Sequence, residues 1–226
     1  HTDAAGIITT KEDTYTYDAN GQLIVNGNTI NNPDNTNTIG NTSYLYDQFN
    51  RVIRATTTTT NADGTQNTSV VTYIYDSFGR VATQTSVLTK SDGTVTVDVT
   101  NYTYDAYGRL SQSVTNRTQA GNPNVQIITG YTYDQYGRLS RQTNTITSQS
   151  TQGPVTTVEV VDYTYDQYGR VLTQTTNTTS PDGSATRNIV TYTYDAFGRV
   201  LQANTNHTNA DGSTYNITST YEYDQF

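Results

Sequence analysis

Aromatic and aliphatic positions in this chain fall into one recurring pattern: Tyr-x-Tyr-Asp-x-x-Gly-Arg, then Val or Leu, then a long Thr-rich stretch. The first tyrosine of each copy is Tyr15, Tyr44, Tyr73, Tyr102, Tyr131, Tyr163, Tyr192 and Tyr221, a 29-residue period broken by a single 32-residue step. A fixed period of this size predicts an array of one small supersecondary unit, each copy completing its neighbour. The Thr, Val, Ile and Tyr residues between the turns are strand formers. The expected fold is therefore all-β: an antiparallel β-hairpin repeat array, a meandering or spiralling sheet with about two strands per 29-residue unit, running through residues 1–226 as a single array.

Two turns divide each unit. Asp76-Ser77-Phe78-Gly79 and its equivalents have Asp first and Gly fourth, as in a type I turn closed by a left-handed residue. This is the proximal turn; in the second copy Asn50 stands at its fourth place, the residue after Gly that best tolerates that conformation. The distal turn follows ten residues later, as in Asn61-Ala62-Asp63-Gly64, Lys90-Ser91-Asp92-Gly93, Ser180-Pro181-Asp182-Gly183 and Asn209-Ala210-Asp211-Gly212. Two four-residue turns, a ten-residue strand and an eleven-residue strand account for the whole period. The expected strands are 7–17, 22–31, 36–46, 51–60, 65–75, 80–89, 94–104, 109–118, 123–133, 138–147, 155–165, 170–179, 184–194, 199–208 and 213–223. Asp3-Ala4-Ala5-Gly6 and Asn32-Pro33-Asp34-Asn35 read as distal turns, Asp224-Gln225-Phe226 as the start of a proximal one. The three extra residues of the 32-residue step are expected to lie in a loop over Ser148 to Pro154.

Parity adds a requirement. Side chains alternate faces with period two, so an odd repeat of 29 puts equivalent residues on opposite faces unless each unit contains a β-bulge or an even-length loop. Where Asp105 opposes Arg109, Tyr104 is expected opposite Leu110 and Tyr102 opposite Gln112. Stacked units would then carry a tyrosine ladder on one face, built from aromatic cross-strand pairs, and an Asp–Arg ladder at the rim.

Composition narrows the role. Apolar residues make up 32% of the chain and Tyr supplies 20 of them, so a thick aliphatic core is not available. A net charge of −8, with Lys only at Lys11 and Lys90, argues against nucleic acid or an anionic membrane as partner. No apolar run approaches the length of a membrane-spanning helix, so no membrane insertion is expected. With no Met, and with its frame beginning and ending mid-unit, the chain reads as a processed or excerpted product.

The motif resembles the signature of the RHS/YD-repeat family. Tyr73, Tyr75, Asp76, Gly79, Arg80 and Val81 carry it in full, as do Tyr102, Tyr104, Asp105, Gly108, Arg109 and Leu110. Asn20-Gly21-Gln22 lacks the Arg, Asn50 replaces the Gly, and the 29-residue period is longer than is usual for such repeats. The resemblance implies spiralling β-sheets, either in shells around toxin polypeptides or in large extracellular cell-contact proteins, and glycans as a ligand class. The aspartyl autoprotease segment of toxin shells has no counterpart here.

Little in the chain points to chemistry. The motif residues have structural roles to fill: Asp caps a turn, Gly takes the left-handed place, Arg pairs across the hairpin. Acidic distal turns offer one carboxylate each, where Ca²⁺ takes six or more oxygens, so no cofactor or metal is expected. The histidines are His1 and His207, Cys is absent, and Asp98, Glu159 and Asp162 read as solvated acids on polar strand faces, so no enzyme is expected. Seven N-glycosylation sequons occur, about the number chance supplies, but Asn116, Asn177 and Asn206 share the eighth place of the ten-residue strand and are the candidate glycosylation sites. The long outer strands, of which only the first holds a Lys, point to continuation of the sheet. The expected role is a structural subunit or segment of an extracellular or cell-surface filament, with itself as partner. A glycan-binding adhesin and a shell segment are the alternatives.

Overall fold

The computed structural model describes residues 10–31 and 37–224, and its regular structure is entirely β. The strands are β1 (Thr10–Tyr17), β2 (Leu23–Asn31), β3 (Asn37–Tyr46), β4 (Val52–Thr60), β5 (Gln66–Tyr75), β6 (Val81–Thr89), β7 (Val95–Tyr104), β8 (Leu110–Gln119), β9 (Val125–Tyr133), β10 (Leu139–Ser150), β11 (Gly153–Tyr165), β12 (Val171–Thr179), β13 (Ala185–Tyr194), β14 (Val200–Thr208) and β15 (Thr214–Thr220). Strand order in the antiparallel sheet follows chain order, as a succession of hairpins requires. Residues 7–9, the turns expected at 3–6 and 32–35 and the turn residues 225–226 lie outside the described residues. Two compact units are present. One holds the described residues up to Tyr102 with Thr115–Asn124, the other Thr103–Val114 with the described residues from Val125.

Proximal turns close as their residues dictate. The Asp76 N–H donates to the Arg80 carbonyl at 2.8 Å and the Gly79 N–H to the Asp76 carbonyl at 3.0 Å. Gly79 has φ of 81°, and Asn50, at the same place, has φ of 62°. The Asp76 carboxylate accepts from the Phe78 and Arg80 N–H groups, both at 2.9 Å, and so satisfies two donors that the turn exposes.

The odd repeat is corrected by a bulge, and its place is fixed. In β5–β6, Tyr75 opposes Val81 but Ile74 opposes Thr83, so Ala82 is the extra residue. The same shift follows the proximal turn in β1–β2, β3–β4, β9–β10, β11–β12 and β13–β14. The distal hairpin β4–β5 has no shift from Thr60↔Gln66 to Arg54↔Thr72. Across these two strands Thr72 opposes Arg54, which opposes Leu45, and Leu45 precedes Thr72 by two places less than a full repeat. An offset of two keeps equivalent residues on one face; without the bulge it would be one, and every tyrosine would change face in the next unit. The bulge also sets the partner of the first tyrosine. In hairpins of this kind the first tyrosine lies opposite the residue one place further on, Tyr73 opposite Gln84 and Tyr131 opposite Gln142.

The insertion takes a different course from the expected loop. Strands β10 and β11 extend through it, pairing Ser148 with Val155, Gln149 with Pro154 and Ser150 with Gly153, and only Thr151 and Gln152 form the turn. Extension keeps the inserted backbone groups in the ladder. It also preserves parity: Asp162 opposes Arg141, which opposes Thr132, and Thr132 precedes Asp162 by two places less than the longer step. Little of the sheet is buried. Val161, at 8% exposed, is the buried hydrophobic side chain among the described residues, so stability rests on the ladders and on contacts that recur from hairpin to hairpin.

Candidate functional site

The recurring contact is a clasp between one proximal turn and the tyrosine that follows it. Arg51 binds Asp47 of its own turn through Nε at 2.7 Å and Nη2 at 2.6 Å. Its guanidinium lies over the Phe49 ring at 5.1 Å and over the Tyr75 ring, on β5, at 4.3 Å. The Tyr75 hydroxyl passes the guanidinium and donates to the Val52 carbonyl at 2.6 Å. In the second unit Arg109 lies over Tyr107 and Tyr133, Arg138 over Tyr136 and Tyr165, Arg170 over Tyr168 and Tyr194, and Arg199 over Phe197 and Tyr223, at 4.3 to 5.3 Å. Tyr133, Tyr165, Tyr194 and Tyr223 donate to the carbonyls of Leu110, Leu139, Val171 and Val200 at 2.6 to 2.9 Å.

This geometry revises the expected ladder of stacked tyrosines. The second tyrosine of each of these motifs meets an arginine rather than another ring. Equivalent tyrosines stand two strands apart, roughly 9.5 Å at ordinary strand spacing, which exceeds the reach of ring-on-ring contact. The arginine of the intervening strand fills that gap as a cation–π partner. A ring contact that does form, His207 with Tyr215 at 4.8 Å, joins adjacent strands β14 and β15.

Electrostatics follow from the clasp. Partial burial works against ionisation of Asp76, but hydrogen bonds from the Arg80 N–H, its guanidinium and the Phe78 N–H outweigh it and hold the carboxyl below its ordinary value. The same holds for Asp47, Asp105, Asp134, Asp166 and Asp195. Burial pushes the phenols of Tyr75, Tyr165 and Tyr194 up, against the pull of the adjacent arginine. The distal turns differ. Asp63 and Asp211 are held below their ordinary values by the hydroxyl and N–H of Thr65 and Ser213, with no guanidinium beside them.

The motif residues divide as follows. Asp76 with Arg80, and Asp105 with Arg109, form the expected turn pairs, and Gly79 and Gly108 have φ of 81° and 80°. Tyr75 is a clasp residue; Tyr73 lies two places back on the same face, opposite Gln84. The Tyr102 hydroxyl donates to the Gln84 side chain at 3.4 Å, while Tyr104 ends β7 ahead of the Asp105 turn. Asn177 and Asn206 lie on the sheet face opposite the clasp tyrosines, given the register, and the Asn206 amide donates to Asn216 at 2.8 Å. Asn116 lies on β8. Asp98 and Asp162 are not merely solvated: each holds an arginine in a two-point pair, Asp98 with Arg117 at 2.7 and 2.8 Å and Asp162 with Arg141 at 2.6 and 3.1 Å.

The repeat motif did not single out the turn tips. Phe49, Phe78, Tyr107, Tyr136, Tyr168 and Phe197 occupy the third place of the proximal turn, and all are 67 to 85% exposed. The signal was present: six of the seven described proximal turns have an aromatic there, and only Asn20 departs. Open clefts lie beside the tips, one of them between Tyr168 and Phe197. One of about 500 Å³ is lined by Tyr168, Arg170, Ala196, Phe197 and Gly198; the next, of about 570 Å³, by Phe197, Arg199, Leu201, Tyr221 and Tyr223.

No protein-family model matches the sequence, and no curated protein matches it. Among solved structures, a porin-like protein from Bacteroides uniformis ATCC 8492 is similar over 86% of this chain and 92% of that chain, at 13% identity and a TM-score of 0.27. No helix among the described residues is long and apolar enough to cross a membrane.

Proposed function

We propose that the chain is a structural subunit or segment of an extracellular filament or surface fibre of the RHS/YD-repeat kind, propagated by strand continuation from repeat to repeat or from subunit to subunit. The observation that carries this reading is the identity of the clasp from one hairpin to the next. The turns of Arg51, Arg109, Arg138, Arg170 and Arg199 each present an arginine and a carbonyl that a later tyrosine engages, as Arg138 and Leu139 do for Tyr165. An interface made of the same parts at every step extends an array without a special end, and it concentrates no chemistry at any one place. Strand β15 adds to this: it is exposed along its whole length and carries no charged residue to discourage pairing. Electron microscopy of the native material tests the proposal. Fibres of constant width that bind antibodies against this chain are expected; discrete closed particles, or diffuse surface label without fibres, would overturn it.

A further inference from the structure

Each unit has two unlike rims. At the distal turns the tips are polar and several are acidic: Asp63, Asp182 and Asp211 accept from the N–H groups of Thr65, Ser184 and Ser213. At six of the seven described proximal turns the tip is aromatic, and the one carboxylate of each of these six is neutralised by its own arginine, as Asp134 is by Arg138 and Asp195 by Arg199. In the second unit Tyr107, Tyr136, Tyr168 and Phe197 are 84, 73, 73 and 85% exposed, on hairpins that follow one another. Large rings left in water in a row mark an interaction surface rather than scattered surface apolarity.

We infer that this aromatic rim is a docking surface for a second copy of the same chain, the tips of one copy entering the clefts between the tips of the other. Pitch favours that occupant. Tips two strands apart repeat at roughly 9.5 Å, and a partner with the same repeat presents rings at the same interval. The interval is protected from the irregular step, because its three extra residues lengthen β10 and β11 at the distal end and leave the proximal turns two strands apart. The cleft of about 500 Å³ between Tyr168 and Phe197 is lined by these two rings with Ala196, Gly198, Arg170 and Asp195, a mix of aromatic and small residues that suits an incoming ring. Charge favours it too. Two chains of net charge −8 repel, but the proximal rim is where that charge is locally cancelled by the Asp–Arg pairs, and approach through the distal rims would set Asp against Asp.

Area sets the strength. Four tip rings, at about 200 Å² for a Phe or Tyr side chain and about four fifths exposed, would bury roughly 600 Å² per partner, below the ~800 Å² of a standard stable interface. One chain pair is therefore weak, and longer arrays gain through many tips acting together. The inference rests on the proposed fibre only for its biological setting, as side-by-side association of arrays, and is separable from it.

The test is analytical ultracentrifugation of the full chain over a concentration series, with electron microscopy of any fibres. The triple variant Tyr136→Ser, Tyr168→Ser, Phe197→Ser is compared with wild type, with Tyr136→Phe, Tyr168→Phe, and with the edge variant Ile217→Lys. Wild type and the Phe variant are expected to dimerise reversibly at concentrations of about 10⁻⁴ M, and the triple variant to shift that midpoint at least tenfold while keeping the wild-type circular dichroism spectrum. In fibres the triple variant would halve the width and leave the length; Ile217→Lys would shorten fibres and leave the dimer. A wild type that stays monomeric at several hundred micromolar overturns the inference, as does a dimer unmoved by the triple variant, or a rim that associates only when vesicles or oligosaccharides are added. Tip-dependent dimers without fibres would overturn the fibre proposal alone.

Discussion

The Tyr165 hydroxyl donates a 2.7 Å hydrogen bond to the Leu139 carbonyl, far back along the chain, while its ring lies 4.4 Å from the Arg138 guanidinium. One side chain thus ties strand β11 to the turn that opens β10, and in a sheet with almost no buried core such ties carry much of the stability.

Removing only the hydroxyl isolates the hydrogen bond. Tyr165→Phe is expected to cost about 1 kcal/mol, and Tyr165→Ala, which also removes the cation–π contact and the covered area, about 2–3 kcal/mol. Urea denaturation of the two variants checks the order. Equal losses would show that the ring contributes nothing beyond the hydroxyl, and an unchanged Phe variant that the bond contributes nothing.

Acid should loosen the turns together. The six proximal-turn carboxyls have lowered pKa values in the fold, so the stability they contribute is present above the unfolded carboxylate pKa and is lost as pH falls through the lower folded values. Melting temperature should hold between about pH 7 and about pH 5 and fall below about pH 4. Asp134→Asn should flatten part of that fall.

At the alkaline end the sign reverses. The phenols of Tyr75, Tyr165 and Tyr194 are raised by burial, so they favour the fold while neutral, and that contribution disappears as pH rises through their folded values. Absorbance titration of tyrosinate should show a late-titrating class above about pH 10, absent in the triple Phe variant.

Left-handed positions favour Gly, and after it Asn, over other residues. Gly79→Ala is expected to destabilise by about 1–2 kcal/mol, since φ is 81° and the new Cβ would come 3.4 Å from Arg51 Nη1. Asn50→Gly, at φ of 62°, should be neutral or slightly stabilising. Thermal melts of both variants test the pair.

Deleting one bulge residue is the sharpest test of parity. Removing Leu172, the extra residue between Thr164↔Thr173 and Tyr165↔Val171, would shift the offset by one and turn the faces of all that follows. Loss of cooperative unfolding is expected. Deleting Thr151 and Gln152 with Ser150 and Gly153, which shortens the distal hairpin evenly, should leave folding cooperative.

Much of this was legible beforehand because turn chemistry is local. Asp first and Gly fourth specify Asp76-Ser77-Phe78-Gly79 with no knowledge of what packs nearby, and the odd period by itself demands a parity correction. The bulge's place was not legible. Ile24, Ile53, Ala82, Ser140, Leu172 and Leu201 hold it in six hairpins, and these share no chemical type. The bulge belongs to the twist of the hairpin beyond a turn closed by a left-handed residue, a property of two strands together.

From the residues alone came the repeat, the two turns, the strand count, the Asp–Arg pairs and the need for an even offset, all consequences of short-range backbone preference and period-two alternation. Only the tertiary structure decided where the bulge falls, that the inserted residues lengthen β10 and β11, that Tyr165 meets Arg138 rather than another tyrosine, and that the tip rings remain in water. Each of these depends on how far apart non-neighbouring strands stand and which side chain reaches across the gap, and distance between strands is written in the sheet, not in any one stretch of chain.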